Sequence, residues 1–220
     1  MHALIVDGSP EPSSLELVER LVRASDYVIA ADRGAVLLHE LGIVPDVFCG
    51  DDDSADGASS AWAHAGVRTD IRYPSEKYAT DLALAIDCAR HEAARRNARL
   101  ELTVTCATGG RLDHQLAVVG LLAQHVDALP RLVEDGYECR FLSPLGRDVW
   151  EVGKDAQVGA TFSVLALREG TVVSERGMRW ELDHHELALL EDRGVSNIVA
   201  SADALVTCEE GIAAAFLLCS

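Results

Sequence analysis

The stretch VFCGDDDSADG, residues 47–57, sets three consecutive carboxylates directly after a short apolar run. In extended backbone, residues two apart point the same way, so Asp51 and Asp53 can face one site while Asp52 turns aside. In isolation such a run reads as a solvated loop. Further acids, however, recur in equivalent places: Asp32 closes YVIAAD (27–32), Thr80-Asp81 follows another apolar run through PSEK (74–77), and Asp113 lies in TGGRLD (108–113). Carboxylates gathered in one crevice repel one another. A hard divalent ion relieves that repulsion, and Mg²⁺ suits one or two carboxylates completed by water and substrate phosphates. Groups for a polyphosphate stand beside these acids. Gly109 and Gly110 allow close backbone approach at a helix start whose free N–H groups face an anion, Arg111 offers a planar fork, and Lys77 supplies a compact charge near Asp81. Singly, the glycine pair reads as a tight turn and Lys77 as a surface lysine; their shared position after strands is what joins them. Neither GxxxxGK[ST] nor GxGxxG occurs in the chain.

The elements that would position these residues alternate. Up to about residue 140, short β-branched or apolar runs at Leu4–Val6, Tyr27–Ala31, Val47–Cys49, Thr69–Tyr73, Leu102–Cys106 and Glu138–Leu142 are separated by segments of helical period. That is the pattern of an α/β domain with a mostly parallel sheet flanked by helices, in which ligands bind outside the carboxyl ends of the strands. The spacing predicts a helix capped by Thr80, with Leu82, Ala85, Ile86, Ala89 and Ala93 on one face. Another follows Gly110, with Leu112, Leu116, Val119 and Ala123 inward. After the turn signal SPLG (143–146) the texture changes to short apolar runs between glycines and polar turns. The expectation is a catalytic α/β domain over residues 1–143 and a smaller all-β, sandwich-like domain over 144–220.

Composition narrows the partners. The 220 residues carry 19 basic against 36 acidic side chains, a net charge of −17, which offers no footprint for nucleic acid or an anionic membrane. An apolar fraction of 49% supplies a core. The six cysteines have no CxxC pairing and sit mainly in apolar runs, as reduced thiols of a cytoplasmic protein do. The start, MHALIVDG, has no basic region before its apolar strand, and no apolar run reaches a membrane-spanning length, so neither export nor anchoring is expected.

Six motifs in order resemble those of the thiamine pyrophosphokinase (thiamine diphosphokinase) family: ADRGAV (31–36), GDDDS (50–54), EKYATD (76–81), GGRLDH (109–114), GMRWEL (177–182) and Ser196-Asn197. The resemblance implies transfer of the terminal diphosphoryl unit of ATP to the hydroxyl of thiamine, giving thiamine diphosphate and AMP with Mg²⁺, in a homodimer whose pocket is shared between subunits. It implies Asp32, Asp51, Asp53 and Asp81 as metal ligands, with Asp32, Arg33, Lys77, Thr80, Gly109, Gly110 and Arg111 about the nucleotide. Departures stand at Arg33 for a glycine, Val36 for an asparagine, Asp52 for an aromatic residue and Tyr78 for an acid. Arg33 would either neutralise phosphate charge or narrow the pocket.

Several roles stay open at this level. Asp113 is a ligand through water, a base near the attacking hydroxyl, or a helix cap. Trp180 either stacks on the cationic thiamine ring or belongs to the core. Ser196 and Asn197 hydrogen-bond the pyrimidine edge or make a turn. His114 reads as structural and His184-His185 as loop. Other classes compatible with parts of the pattern are a pyrophosphokinase for another heterocyclic alcohol such as a hydroxymethylpterin, a DxD metal-dependent glycosyltransferase, and a non-catalytic nucleotide or thiamine sensor.

Overall fold

A computed structural model describes residues 1–50, 69–72 and 79–219, with only the backbone of 69–72. The chain divides into two compact units, Met1–Val118 and Val119–Ser220.

In the first unit, strands β1 (His2–Val6), β2 (Tyr27–Ala31), β3 (Val47–Gly50), β4 (Thr69–Arg72) and β5 (Glu101–Thr105) form a parallel array in the order β5-β1-β2-β3-β4. Leu4, Ile5, Ile29, Phe48, Leu102 and Val104 are almost wholly buried, as continuous apolar strands covered on both faces must be. Helices α1 (Leu15–Arg23), α2 (Gly34–Glu40) and α3 (Asp81–Arg95) connect them. Ser14 caps α1 by accepting from the Leu17 N–H at 3.3 Å, and Arg20 and Arg23 complement its carboxyl end. Thr80 caps α3 as its spacing predicts, accepting from the Ala83 N–H at 3.3 Å, and Leu82, Ala85, Ile86, Ala89 and Ala93 are buried. After β1 the chain adds β2, β3 and β4 on one side and then returns to place β5 on the other. The reversal point therefore lies between the carboxyl ends of β1 and β5, where open α/β sheets bind ligands.

Helix α4 (Leu112–Ala123) runs from the first unit's residues into the second's. Its expected inner face is covered only in part: Ala123 is buried and Val119 half-buried, together with Val118 and Leu122, whereas Leu112 and Leu116 are 69% and 57% exposed.

The second unit is antiparallel. Strands β6 (Arg131–Glu134), β7 (Tyr137–Leu142), β9 (Thr161–Ala166), β12 (Asn197–Ile198) and β14 (Ala213–Leu218) run in the order β12-β9-β14-β7-β6. A smaller sheet holds β8 (Val149–Trp150), β10 (Thr171–Arg176), β11 (Leu182–Leu187) and β13 (Leu205–Glu210) in the order β11-β10-β13-β8, and the short α5 (Val152–Asp155) follows β8. Leu142, Phe162, Val164, Ala213 and Ala215 from the first set and Trp150, Val173, Val206 and Cys208 from the second share one core, a sandwich built on period-2 alternation. Residues 138–142 form a strand, as read from the sequence, and pair antiparallel with β6 and β14. His184 and His185 lie within β11 rather than in a loop. All six cysteines are free, and no helix among the described residues is long and apolar enough to cross a membrane.

Candidate active site

The first group of site residues lies where strands of the parallel array end. Asp32 follows β2 directly, in the left-handed region (φ 50°) that aspartate tolerates better than most residues. Its N–H donates to the Cys49 carbonyl at 2.9 Å, tying the end of β2 to the residue before Gly50. Cys106, after β5, is also left-handed (φ 55°). Such conformations concentrate where a scaffold holds side chains for function. Arg33 is exposed at the start of α2.

Asp7-Gly8-Ser9, which follows β1 at the reversal point, was absent from the sequence-based set. The Asp7 N–H donates to Thr105 O (3.0 Å), the Ser9 N–H to Cys106 O (2.8 Å) and the Ser9 hydroxyl to Thr108 O (2.5 Å). A Cβ at Gly8 would stand 2.9 Å from Asp32 Oδ2, so this loop also lies against Asp32. The rule that residues following strands are site candidates selects DGS as readily as the other segments; applied to β1, it would have found them.

The same loop explains the glycine pair. Gly109 and Gly110 have φ of 113° and 65°, and a Cβ would meet Glu11 Cβ at 2.8 Å or Pro10 Cγ at 2.7 Å respectively. The tight turn delivers Arg111 to the start of α4, where its guanidinium grips Asp113 through Nε–Oδ1 (3.1 Å) and Nη2–Oδ2 (2.5 Å). Both side chains are exposed. The Arg111 hydrogen bonds hold the Asp113 carboxyl down at about 2, and the carboxylate raises Arg111 in turn.

Asp81, half-buried, opens α3 beside the Thr80 cap. The donor set that Asp32 and Asp81 provide, carboxylate oxygens following strands of one parallel array, is of the kind a hard divalent cation accepts. Among the described residues no three acids, histidines or cysteines form a metal-holding group. Asp51, Asp53 and Lys77, with Asp52 and Tyr78, lie outside the described residues.

The second group belongs to the second unit. Between β10 and β11 the turn GMRWEL sends Met178 into the core (4% exposed) and leaves the Trp180 ring 59% exposed, with the Arg179 guanidinium 5.5 Å from its centroid. Trp180 is therefore not core. Gly177 needs its glycine: φ is 69° and a Cβ would stand 2.8 Å from Ala204 Cα. Ser196 is exposed and left-handed (φ 61°). Asn197 is 4% exposed, and its amide is fully used inside the protein. Oδ1 accepts from the Trp180 N–H (3.1 Å) and the Ile198 N–H (2.8 Å), while Nδ2 donates to Trp180 O (2.7 Å) and Glu175 Oε2 (3.1 Å). Of the two readings left open for Asn197, this favours the turn-forming one.

Comparison with known proteins accords with this arrangement. Residues 18–132 match the family thiamin pyrophosphokinase, catalytic domain, and residues 151–213 match thiamin pyrophosphokinase, vitamin B1 binding domain. No curated protein matches the chain. Among solved structures, the thiamine pyrophosphokinase of Bacillus subtilis is similar with a TM-score of 0.80 at 23% identity, covering 99% of each chain. A thiamin pyrophosphokinase family protein of Enterococcus faecalis gives 0.80 at 23%, covering 100% of each. The thiamin pyrophosphokinase of Candida albicans gives 0.80 at 16%, covering 99% of this chain and 90% of its own. At these identities the likeness is one of fold.

Proposed function

This chain belongs to the thiamin pyrophosphokinase family, and from that premise we propose that it transfers the terminal diphosphoryl group of ATP to the hydroxyl of thiamine, giving thiamine diphosphate and AMP. The observation that carries the reading is the match, in order, of both a catalytic and a vitamin-binding domain. A DxD glycosyltransferase accounts for neither domain, another heterocyclic alcohol accounts only for the first, and a non-catalytic nucleotide or thiamine sensor leaves the catalytic domain without a task.

The thiamine hydroxyl oxygen forms the new bond to the β-phosphorus and gives up its proton to water, and the bond from that phosphorus to the oxygen bridging to the α-phosphate breaks, that oxygen leaving with AMP. Little covalent chemistry falls to the protein, whose task is positioning and charge compensation. We assign ATP to residues 1–143 and the vitamin to 144–220. Arg111, delivered by Gly109-Gly110, exchanges its Asp113 partner for phosphate oxygens; Asp113 keeps the fork aimed until then. The N–H groups at the start of α4 add to the pull on the same anion. Arg33 and Lys77 add positive charge. Asp32, Asp51, Asp53 and Asp81 hold Mg²⁺, which when bound neutralises charge developing on the phosphates. Trp180 offers its exposed face to the cationic ring, and Ser196 stands beside that turn as a polar contact.

The direct test is incubation with ATP, Mg²⁺ and thiamine. AMP and thiamine diphosphate should form in equal amounts; ATP consumption without thiamine diphosphate would overturn the reading. A cytoplasmic homodimer is part of the proposal. Mixing Asp51→Asn with Trp180→Ala chains under subunit exchange should restore some activity if each site draws on two chains, and none if it draws on one.

A further inference from the structure

We propose that Glu175, buried in the β-sandwich of the second unit, is a positioning residue for thiamine: through the Asn197 amide it fixes the exposed turn that carries Trp180. The inference rests on the reading of Trp180 as the vitamin-facing residue.

Asn197 clamps the Trp180 residue from both sides, accepting from its N–H and donating to its carbonyl. The clamp works in only one orientation of the amide. If the amide were turned over, its N–H groups would face the N–H groups of Trp180 and Ile198, and its oxygen would face the Trp180 carbonyl. What selects the working orientation on the far side is Glu175, whose Oε2 accepts the second Asn197 proton. With Glu175 in place, all four hydrogen-bonding positions of the amide are used. Glu175 comes from the end of β10, directly before the turn, and Asn197 from β12, so the contact ties the turn to the opposite sheet.

A carboxyl group is a costly choice for this task. Glu175 is 1% exposed, and its Oε1 has no hydrogen-bond partner among the described residues. Burial raises the group to about 7, so the chain bears a desolvation penalty to keep the acceptor there. The stabilised residue contributes no side chain to the core, since the Trp180 ring points outward. Further bonds hold the same turn: the Arg179 N–H donates to Ile198 O (2.9 Å), the Gly177 N–H to Glu181 Oε1 (2.7 Å), and the Ala200 and Ser201 N–H groups donate to Gly177 O (2.9 and 3.0 Å). A network this dense beneath a solvent-facing aromatic ring suits a rigid stacking surface that orders little on binding.

The test uses the full chain labelled with 5-fluorotryptophan, with the Trp180 resonance assigned by Trp180→Phe. Glu175→Ala, and Glu175→Leu, which fills the space without an acceptor, should shift or broaden the Trp180 fluorine resonance while the Trp150 resonance stays in place. Both should raise KM for thiamine about tenfold, with kcat and the ATP KM nearly unchanged. Glu175→Gln, which retains an acceptor oxygen, should restore the resonance and the thiamine KM. An unmoved Trp180 resonance in Glu175→Leu, or equal losses in Glu175→Gln and Glu175→Leu, would overturn the proposal. Wild-type chain that turns over no thiamine would overturn the functional reading instead, because the resonance reports the clamp independently of substrate.

Discussion

The strand-end rim of the first unit and the Trp180 turn of the second solve opposite problems. On the rim Arg33, Arg111 and Asp113 are charged and exposed, and Arg111 is held by a carboxylate two residues away. At the turn an apolar ring is exposed, and the clamp beneath it is buried: Asn197 at 4%, Glu175 at 1%, Met178 at 4%. A site for phosphates needs charges that can change partners as substrate arrives and product leaves. A site for a flat cationic ring needs a surface already in place. The two regions therefore differ in which substitutions harm them.

Breaking the rim should cost most. Asp51→Asn and Asp53→Asn are each expected to lower turnover by roughly a hundredfold or more at saturating Mg²⁺ while leaving the chain folded, because loss of a ligand carboxylate removes charge compensation of the phosphates. Steady-state kinetics with circular dichroism of the same samples checks this; wild-type turnover in either variant would remove both acids from the site. Breaking the turn should cost substrate rather than chemistry. Trp180→Ala is expected to lose about 1–3 kcal/mol of thiamine affinity with ATP affinity unchanged, and Trp180→Phe to recover part of it, as titration calorimetry would show.

A smaller effect sharpens the comparison on the rim side. Arg111→Lys keeps the charge and loses the fork, and should lower kcat/KM for ATP about tenfold without altering the thiamine KM. The other effect is a pH dependence that arises at the turn. Glu175 binds its proton more tightly folded, at about 7, than at its ordinary 4.5. Its contribution to stability is therefore complete below about pH 4.5 and lost as pH rises through about 7, at most roughly 1.4 kcal/mol per pH unit across that window. Thermal unfolding at pH 5 and pH 8 should show a drop of a few degrees more in wild type than in Glu175→Gln, which does not titrate. Equal drops would mean that the Glu175 carboxyl is not held protonated.

Much of the first unit is legible in the sequence because its signals are local. The run YVIAA forms β2 with the expected bounds, Thr80 caps α3, and the glycine pair turns as its composition suggests. What escaped depends on distant partners. Nothing within residues 131–142 announces antiparallel pairing with residues 213–218. How much of the expected inner face of α4 is covered follows from what packs against the helix, not from its own periodicity. That Asp7-Gly8-Ser9 follows a strand is legible in the sequence; that it stands at the reversal point follows only from β5 lying beside β1. Likewise Ser196-Asn197 was visible as a pair, but Glu175, which orients Asn197 from another strand, carries no motif.

The Arg111–Asp113 grip has a kinetic side. The guanidinium already has an anionic partner on its own chain, so in the proposed role an arriving phosphate would exchange with a carboxylate rather than meet a bare cation, and a departing phosphate would leave behind a fork that closes on Asp113. Net affinity is reduced by the strength of the internal pair, but the transition out of the bound state never passes through an uncompensated charge. For a reaction that must let go of AMP on every cycle, a built-in counter-ion of this kind trades tight binding for quick turnover.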